Sequence, residues 1–247
     1  MSGRATSPRG LGVAGAPETD ALREQVAWAG RILAGEGYAD LTLGHVSARV
    51  PGSDHFLIKR KGLAIDEVEP DDVVEVDFAG ELLHGADVDL HLEMVIHAEI
   101  YRARPDVGAV VHGHPTYATA LAATDASLEM LTHDAVLFTD GIGWFEESVD
   151  LITEPEEGAA VARALGARRA VLLRNHGVVV VGKDVPWAVL AAVTLERAVQ
   201  IQAIARSLGG LRPIPREVAR RLAPVKYRDA FVEEYWESWV RRTPWHA

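Results

Sequence analysis

Apolar and polar positions along the chain follow two periods, and the changes between them mark its elements. Leu22, Val26, Ala29 and Leu33 recur at three- and four-residue steps, which predicts a helix over 19–35 that Gly35 and Gly37 stop. HVSARV (45–50) and HFLIK (55–59) read as two strands joined through Pro51-Gly52-Ser53-Asp54, a hairpin signal. VVEVD (73–77) is a further strand, which Asp77-Phe78-Ala79-Gly80 turns toward Glu81-Leu82-Leu83. Helical spacing returns over 89–103 through Leu90, Met94, His97 and Tyr101, then GAVVH (108–112) is a strand and 115–123 a short helix. Residues 156–166 read as helix, AVLLR (170–174) and GVVVVG (177–182) as strands flanking Asn175-His176, and 185–207 as a long helix rich in alanine and valine. Helices near 215–223 and 228–241 follow, and Trp236, Trp239 and Trp245 in this region are expected to serve packing or subunit contact.

This order predicts an α/β fold with a mainly antiparallel or mixed sheet covered by helices. Clean βαβ alternation and a GxGxxG turn are both absent from the sequence, so a Rossmann fold is not expected. The expected organisation is a flexible tail over 1–17, rich in Gly, Ser, Pro and Ala, then one domain over 18–247 with a C-terminal helical extension.

Charge and cysteine content narrow the class. A net charge of −11 argues against a nucleic-acid or anionic-membrane partner, while leaving room for a local cationic pocket. The absence of cysteine removes disulfides, thiolate zinc sites and cysteine nucleophiles together, and fits a reducing cytoplasm. Apolar runs such as PWAVLAAVT (186–194) are too short to span a bilayer, and MSGRATSPRGLGVAGAPE carries no apolar run of signal-peptide length. A cytoplasmic location is therefore expected.

The chemistry starts at VVHGHPTYAT (110–119), where His112 and His114 stand one residue apart at the end of an apolar run. On a strand they face the same way, and Pro115 then suits the first turn of a helix. Two neutral imidazoles on one face suit a transition metal, or they are two polar residues leaving a sheet edge. Further ligands must come from elsewhere. His176 sits between two very apolar strands, as a ligand or as a hydrogen-bonded turn residue. Glu93 and His97 lie four apart and share a helical face, so one could reach a metal while the other braces the helix. His133, in Leu131-Thr132-His133-Asp134, is a proton carrier or a loop residue.

Taken together, GHVSARV, IKRKGLAIDEVEPDDVVEVDFAGEL, HLEMVIHAEIYRARPDVGAVVHGHP and LLRNHGVVVVG resemble, in order and spacing, the class II aldolase/adducin family over roughly residues 20–210. The resemblance implies an αβα fold around a mostly antiparallel sheet, and a homotetramer with its sites at subunit interfaces. It also implies a divalent cation held by His112, His114 and His176, with Glu93 as acid/base and occasional ligand. Three histidines and a carboxylate without sulfur suit zinc, manganese, cobalt or iron(II). The family's sugar-phosphate aldolases cradle phosphate with residues resembling T-x-G-N-x-S, then T-G, then S-S. Here those positions read Thr42-Leu43-Gly44-His45-Val46-Ser47, Lys61-Gly62 and His91-Leu92. Imidazoles and an ammonium largely replace the hydroxyls, so His45, Ser47, Lys61, Gly62 and His91 are expected to bind an anionic small molecule, with a hydroxylated carboxylate fitting better than a sugar phosphate. The resemblance thus points to a carboxy-lyase: decarboxylation of a hydroxylated aromatic or heteroaromatic carboxylate through an enolate-like intermediate, as in aromatic compound catabolism. Retro-aldol cleavage is the second reading and a non-enzymatic adducin-like module the third. His133 lies where the family's aldolases place a tyrosine proton donor from a neighbouring subunit.

Overall fold

Alternation within the strands decides how the layers stack. The computed structural model describes residues 17–83 and 88–245. The expected tail lies outside the described residues up to residue 16. Helix α1 (Pro17–Leu33) is followed by hairpin strands β1 (His45–Arg49) and β2 (His55–Lys59), and by β3 (Val73–Asp77). Next come α2 (Met94–Ala103), β4 (Ala109–Gly113), α3 (Thr116–Ala122), β5 (Gly143–Phe145) and α4 (Pro155–Leu165). Strands β6 (Ala170–Leu173) and β7 (Gly177–Gly182) precede α5 (Val185–Leu208), α6 (Arg216–Lys226) and α7 (Asp229–Arg242).

The strands form one seven-stranded sheet in the order β3-β2-β1-β4-β7-β6-β5. Every pairing is antiparallel except β5 with β6. Val46, Ala48, Leu57, Ala109, Val111, Val178 and Val180 pack on one face with α1, α3 and α5. Phe56, Ile58, Val74, Val110, Val171, Val179 and Val181 pack on the other with α2 and α4. Because both faces are covered, the central strands read as continuous apolar runs. The expected αβα arrangement is what the chain adopts.

Several elements depart from the sequence reading. Helix α2 starts at Met94 and not at residue 89: Glu93 is its N-cap, with φ −82° and ψ 12°. The periodicity through Leu90 continued across a turn that is not yet helix. Strand β5 is three residues long, too short to show a period. Helix α5 has 24 residues and, by length and composition alone, could cross a membrane, against the expectation drawn from 186–194; 67% of its most apolar window is buried within the fold. The tryptophans pack on the core: Trp239 donates to Glu36 Oε1 at 2.9 Å, and Trp245 meets Trp28 edge-on at 4.4 Å beneath the Arg31 guanidinium.

Candidate metal centre

Strand register begins the site. On β4, Val110 faces the α2 and α4 layer, so His112, two residues on, faces it too. His45 of β1 stands directly opposite His112 in the ladder. His114 lies just past the strand end. Asn175 takes a left-handed conformation with φ 55°, which Asn tolerates, and thereby turns the chain so that His176 comes back beside the β4 end. Gly177 follows because a Cβ there would lie 2.5 Å from His114 Cδ2 and 2.7 Å from the Gly113 carbonyl.

Four residues from three separate regions thus converge. One ligand atom from each of Glu93, His112, His114 and His176 lies within 4.8 Å of the others. Glu93 Oε2 is 3.3 Å from His112 Nε2, and its Oε1 is 3.4 Å from His176 Nε2. Neither contact is aligned as a hydrogen bond, so among the described residues both buried Nε2 atoms are left without a partner. Buried nitrogens without partners are rare, and a group of them facing one carboxylate fits the ligand set of a cation. The other ring nitrogens are tied. His112 Nδ1 lies 3.1 Å from the Val178 carbonyl, and His114 Nδ1 lies 2.8 Å from Asp40 Oδ2. With Nδ1 donating in each case, Nε2 keeps its lone pair, the arrangement seen where a histidine binds metal and a second group orients it. The donor set, three imidazoles and one carboxylate without sulfur, fits zinc, manganese, cobalt or iron(II).

Burial and neighbouring groups act differently on Glu93 and on the rings beyond it. Burial would raise Glu93, but its contacts with His112 and His176 outweigh this and hold it well below the ordinary carboxylate range. Burial, with the neighbouring rings adding to it, pushes His45 and His97 well below the ordinary imidazole value. His114 is lowered first by burial, then by His112, against the opposing pull of Asp40. His91 is pushed down to about 4 by burial, helped by the charges of Lys59 and Lys61. A base with a depressed folded pKa contributes its full stability above the unfolded value and loses it as pH falls below that value. Melting temperature is therefore expected to drop as pH falls from 7 to 4. Each such ring contributes up to about 1.4 kcal/mol per pH unit below ~6.5. A thermal melt series across that range checks it.

The remaining residues divide. Of the α2 pair, it is Glu93 that reaches the cluster. His97 turns to His45 and Ser47, with ring nitrogens 2.7 Å from His45 Nδ1 and 2.6 Å from Ser47 Oγ. Ser47 was expected to bind substrate. It is fully buried, and its hydroxyl is engaged by His97 and by the Tyr101 hydroxyl at 2.7 Å, so it has no free group to offer. His45 and His91 lie side by side, their rings tilted by 43° with centroids 4.7 Å apart, and among the described residues His91 Nε2 is another buried nitrogen without a partner. Lys61 is exposed, and Gly62 beside it is left-handed at φ 92°. Lys59 closes strand β2. It is buried and donates to the Thr42 and Leu63 carbonyls, and burial pushes it down to about 8. His133 is exposed and, among the described residues, makes no hydrogen bond or ring contact to the cluster; its carbonyl accepts from the Tyr227 hydroxyl.

Two partners escape sequence reading. Asp40 belongs to no periodic segment, yet it holds His114 from 74 residues away. The Ile152 amide donates to Glu93 Oε1 at 3.1 Å. Asp40→Ala is expected to weaken metal retention about 10- to 100-fold, the usual cost of losing a group that orients a ligand, with little change in melting temperature. Competition against a fluorescent chelator measures it.

Residues 24–203 match the family model described as Class II Aldolase and Adducin N-terminal domain. The chain belongs to the class II aldolase/adducin family. Within this family, it is 31% identical over 221 residues to 3,4-dihydroxyphthalate decarboxylase of Arthrobacter keyseri, covering 83% of this chain and 88% of that protein. The crystal structure of an aldolase II superfamily protein from Pseudomonas syringae superposes with TM-score 0.84 at 30% identity, covering 93% of this chain and 94% of that one. An L-fuculose 1-phosphate aldolase from Glaciozyma antarctica superposes with TM-score 0.81 at 26% identity, covering 91% and 90%. The chain spans 56% and 46% of the length of two other curated relatives. Class II aldolases are metal-dependent, and the relatives named here as decarboxylases and aldolases are lyases, which makes this chain a lyase-family protein with a His/Glu group able to hold a cation.

Proposed function

We propose that the protein is a divalent-metal-dependent carbon–carbon lyase that decarboxylates a hydroxylated aromatic or heteroaromatic carboxylate. The observation that carries the reading is the convergence of Glu93, His112, His114 and His176, with two buried nitrogens facing the carboxylate and lacking partners. When bound, a dication there acts as a Lewis acid that draws electron density from substrate oxygens. His112, His114 and His176 would hold it, in tautomers that Val178 and Asp40 set for the first two. Glu93, ionised at rest, would take the proton of the substrate's ring hydroxyl and return it to the carbon that loses carbon dioxide, its Oε1 oriented by the Ile152 amide.

The choice of carboxylate follows from the groups beside the cluster. His45 and His91 present imidazoles where a phosphate cradle would present hydroxyls, and the ammoniums of Lys59 and Lys61 act on His91. Such a bank suits planar carboxylate and ring hydroxyl oxygens. The similarity to a decarboxylase of a dihydroxylated aromatic diacid favours the same branch. Retro-aldol cleavage of a sugar phosphate is the second reading, favoured by the likeness to an L-fuculose 1-phosphate aldolase.

A homotetramer with sites at subunit boundaries completes the proposal. Exposed apolar side chains border the cluster in sequence: Leu41 beside Asp40, Leu43 before His45, Leu92 beside Glu93, and Leu151 beside Ile152. Large apolar side chains left exposed beside the cluster residues suit a surface that a second subunit covers. His133 would then serve as proton donor to a neighbouring subunit's site. The cytoplasm is the proposed location. Two substrate panels test the reaction: carbon dioxide released from ortho-hydroxylated aromatic acids supports it, and an aldehyde released from sugar phosphates, without decarboxylation, overturns it.

A further inference from the structure

A continuous line of buried polar groups runs away from the cluster beneath β1. His45 Nδ1 meets His97 Nε2 at 2.7 Å, His97 Nδ1 meets Ser47 Oγ at 2.6 Å, and Ser47 Oγ meets the Tyr101 hydroxyl at 2.7 Å. All four residues are buried, and Phe56 stacks on His97. We propose that this line fixes His45 as a hydrogen-bond donor through Nε2, aimed at an anionic substrate oxygen, with Ser47 and His97 as positioning residues. The proposal rests on the reading of Glu93, His112, His114 and His176 as the reaction centre.

The protons along the line decide its direction. No carboxylate hydrogen-bonds to either ring among the described residues, so each buried imidazole is neutral and carries one N–H. Each hydroxyl also has one proton to donate, and the His45–His97 contact has two possible directions. In one, His45 Nδ1–H donates to His97 and His97 Nδ1–H to Ser47, so the Ser47 and Tyr101 protons share the one contact between them. One of those two protons then has no acceptor, since Ser47 is the Tyr101 hydroxyl's one side-chain partner among the described residues. In the other, Tyr101 donates to Ser47, Ser47 to His97 Nδ1, and His97 Nε2–H to His45 Nδ1. Among the described residues only the His45 Nε2–H is then left over, at the end of the line beside His112, whereas the first direction leaves both a hydroxyl proton and the His45 Nε2 lone pair without a partner. The backbone of Val110 also contacts the Tyr101 oxygen in the sense that favours it as an acceptor. The second direction leaves fewer buried polar groups unpaired, so it is the one that holds. His45 is left with its proton on Nε2.

This settles a question that the register raises. His45 stands opposite His112, with ring centroids 5.1 Å apart, close enough to be taken for a further metal ligand. A ring whose Nε2 carries hydrogen and whose Nδ1 accepts from His97 has no lone pair for a cation. It has an N–H that suits a carboxylate or phenolate oxygen, beside His91 with its own unpartnered nitrogen.

The test uses full-length protein labelled with 15N-histidine and loaded with zinc. A long-range proton–nitrogen correlation spectrum, with His45 assigned by its loss in His45→Gln, reads the tautomer directly. The expected result is an Nε2–H tautomer for His45, unchanged when zinc is added. An Nδ1–H tautomer, or a coordination shift of a His45 nitrogen on zinc binding, overturns the proposal. Calorimetry with 3,4-dihydroxybenzoate as probe supplies the second arm. Ser47→Ala is expected to weaken probe binding about 10- to 100-fold at unchanged zinc content, and Ser47→Thr to restore it. Wild-type affinity in Ser47→Ala overturns the positioning role. Absence of both zinc and probe binding in the wild type would instead count against the proposed reaction centre, and the tautomer spectrum of the wild type decides the present inference either way.

Discussion

Replacing His114 with alanine is expected to abolish bound metal and turnover together while leaving the fold intact. Losing a group that merely orients a ligand costs about 10- to 100-fold in metal affinity, so losing the ligand itself should cost more than ~100-fold. The fold should tolerate the change, because His114 lies past the end of β4, is only partly buried, and among the described residues hydrogen-bonds through its side chain to Asp40 alone. Shortening it also relieves its close approach to Gly177. Melting temperature is expected to stay within a few degrees of wild type while metal content and rate collapse. A variant that retains full activity without metal would refute the role given to His114.

Glu93→Gln is expected to separate binding from chemistry. Glutamine is nearly isosteric, and its amide oxygen can still accept from the Ile152 amide, so the start of α2 should keep its position. What it lacks is a carboxylate able to exchange a proton with the reacting carbon. A positioned acid/base contributes about 10²- to 10⁴-fold, so kcat should fall by that range with KM little changed and metal retained. Loss of metal would recast Glu93 as a ligand, as its 3.3 and 3.4 Å approaches to His112 and His176 would allow.

How much of this was legible beforehand depends on the distance over which each feature is set. Strand patterns such as GVVVVG and hairpin signals such as Pro51-Gly52 are local, and they located the sheet and its turns. The cluster residues were readable because their chemistry is unusual at strand ends: His112 and His114 after an apolar run, His176 between two others. The partner of His114 was not readable, since Asp40 stands in a loop without a period and meets it only through the tertiary fold. Ser47 was misplaced for a related reason. Its position in a substrate motif said nothing of the α2 side chains that close over it, and those take its hydroxyl. Residues 91–93 looked helical because Leu90, Met94 and His97 keep helical spacing, whereas the chain there turns sharply enough to send Glu93 toward His112 instead of along the helix with His97.

The central claim is that one divalent ion, held by histidines from the β4 end and the β6–β7 turn, is required for turnover. Metal content and reaction rate measured on the same sample, before and after chelator treatment and again on refilling, test it most directly. The account predicts close to one ion per chain, activity that vanishes with the ion, and recovery in proportion to the ion restored. Undiminished turnover by protein stripped of metal would contradict it.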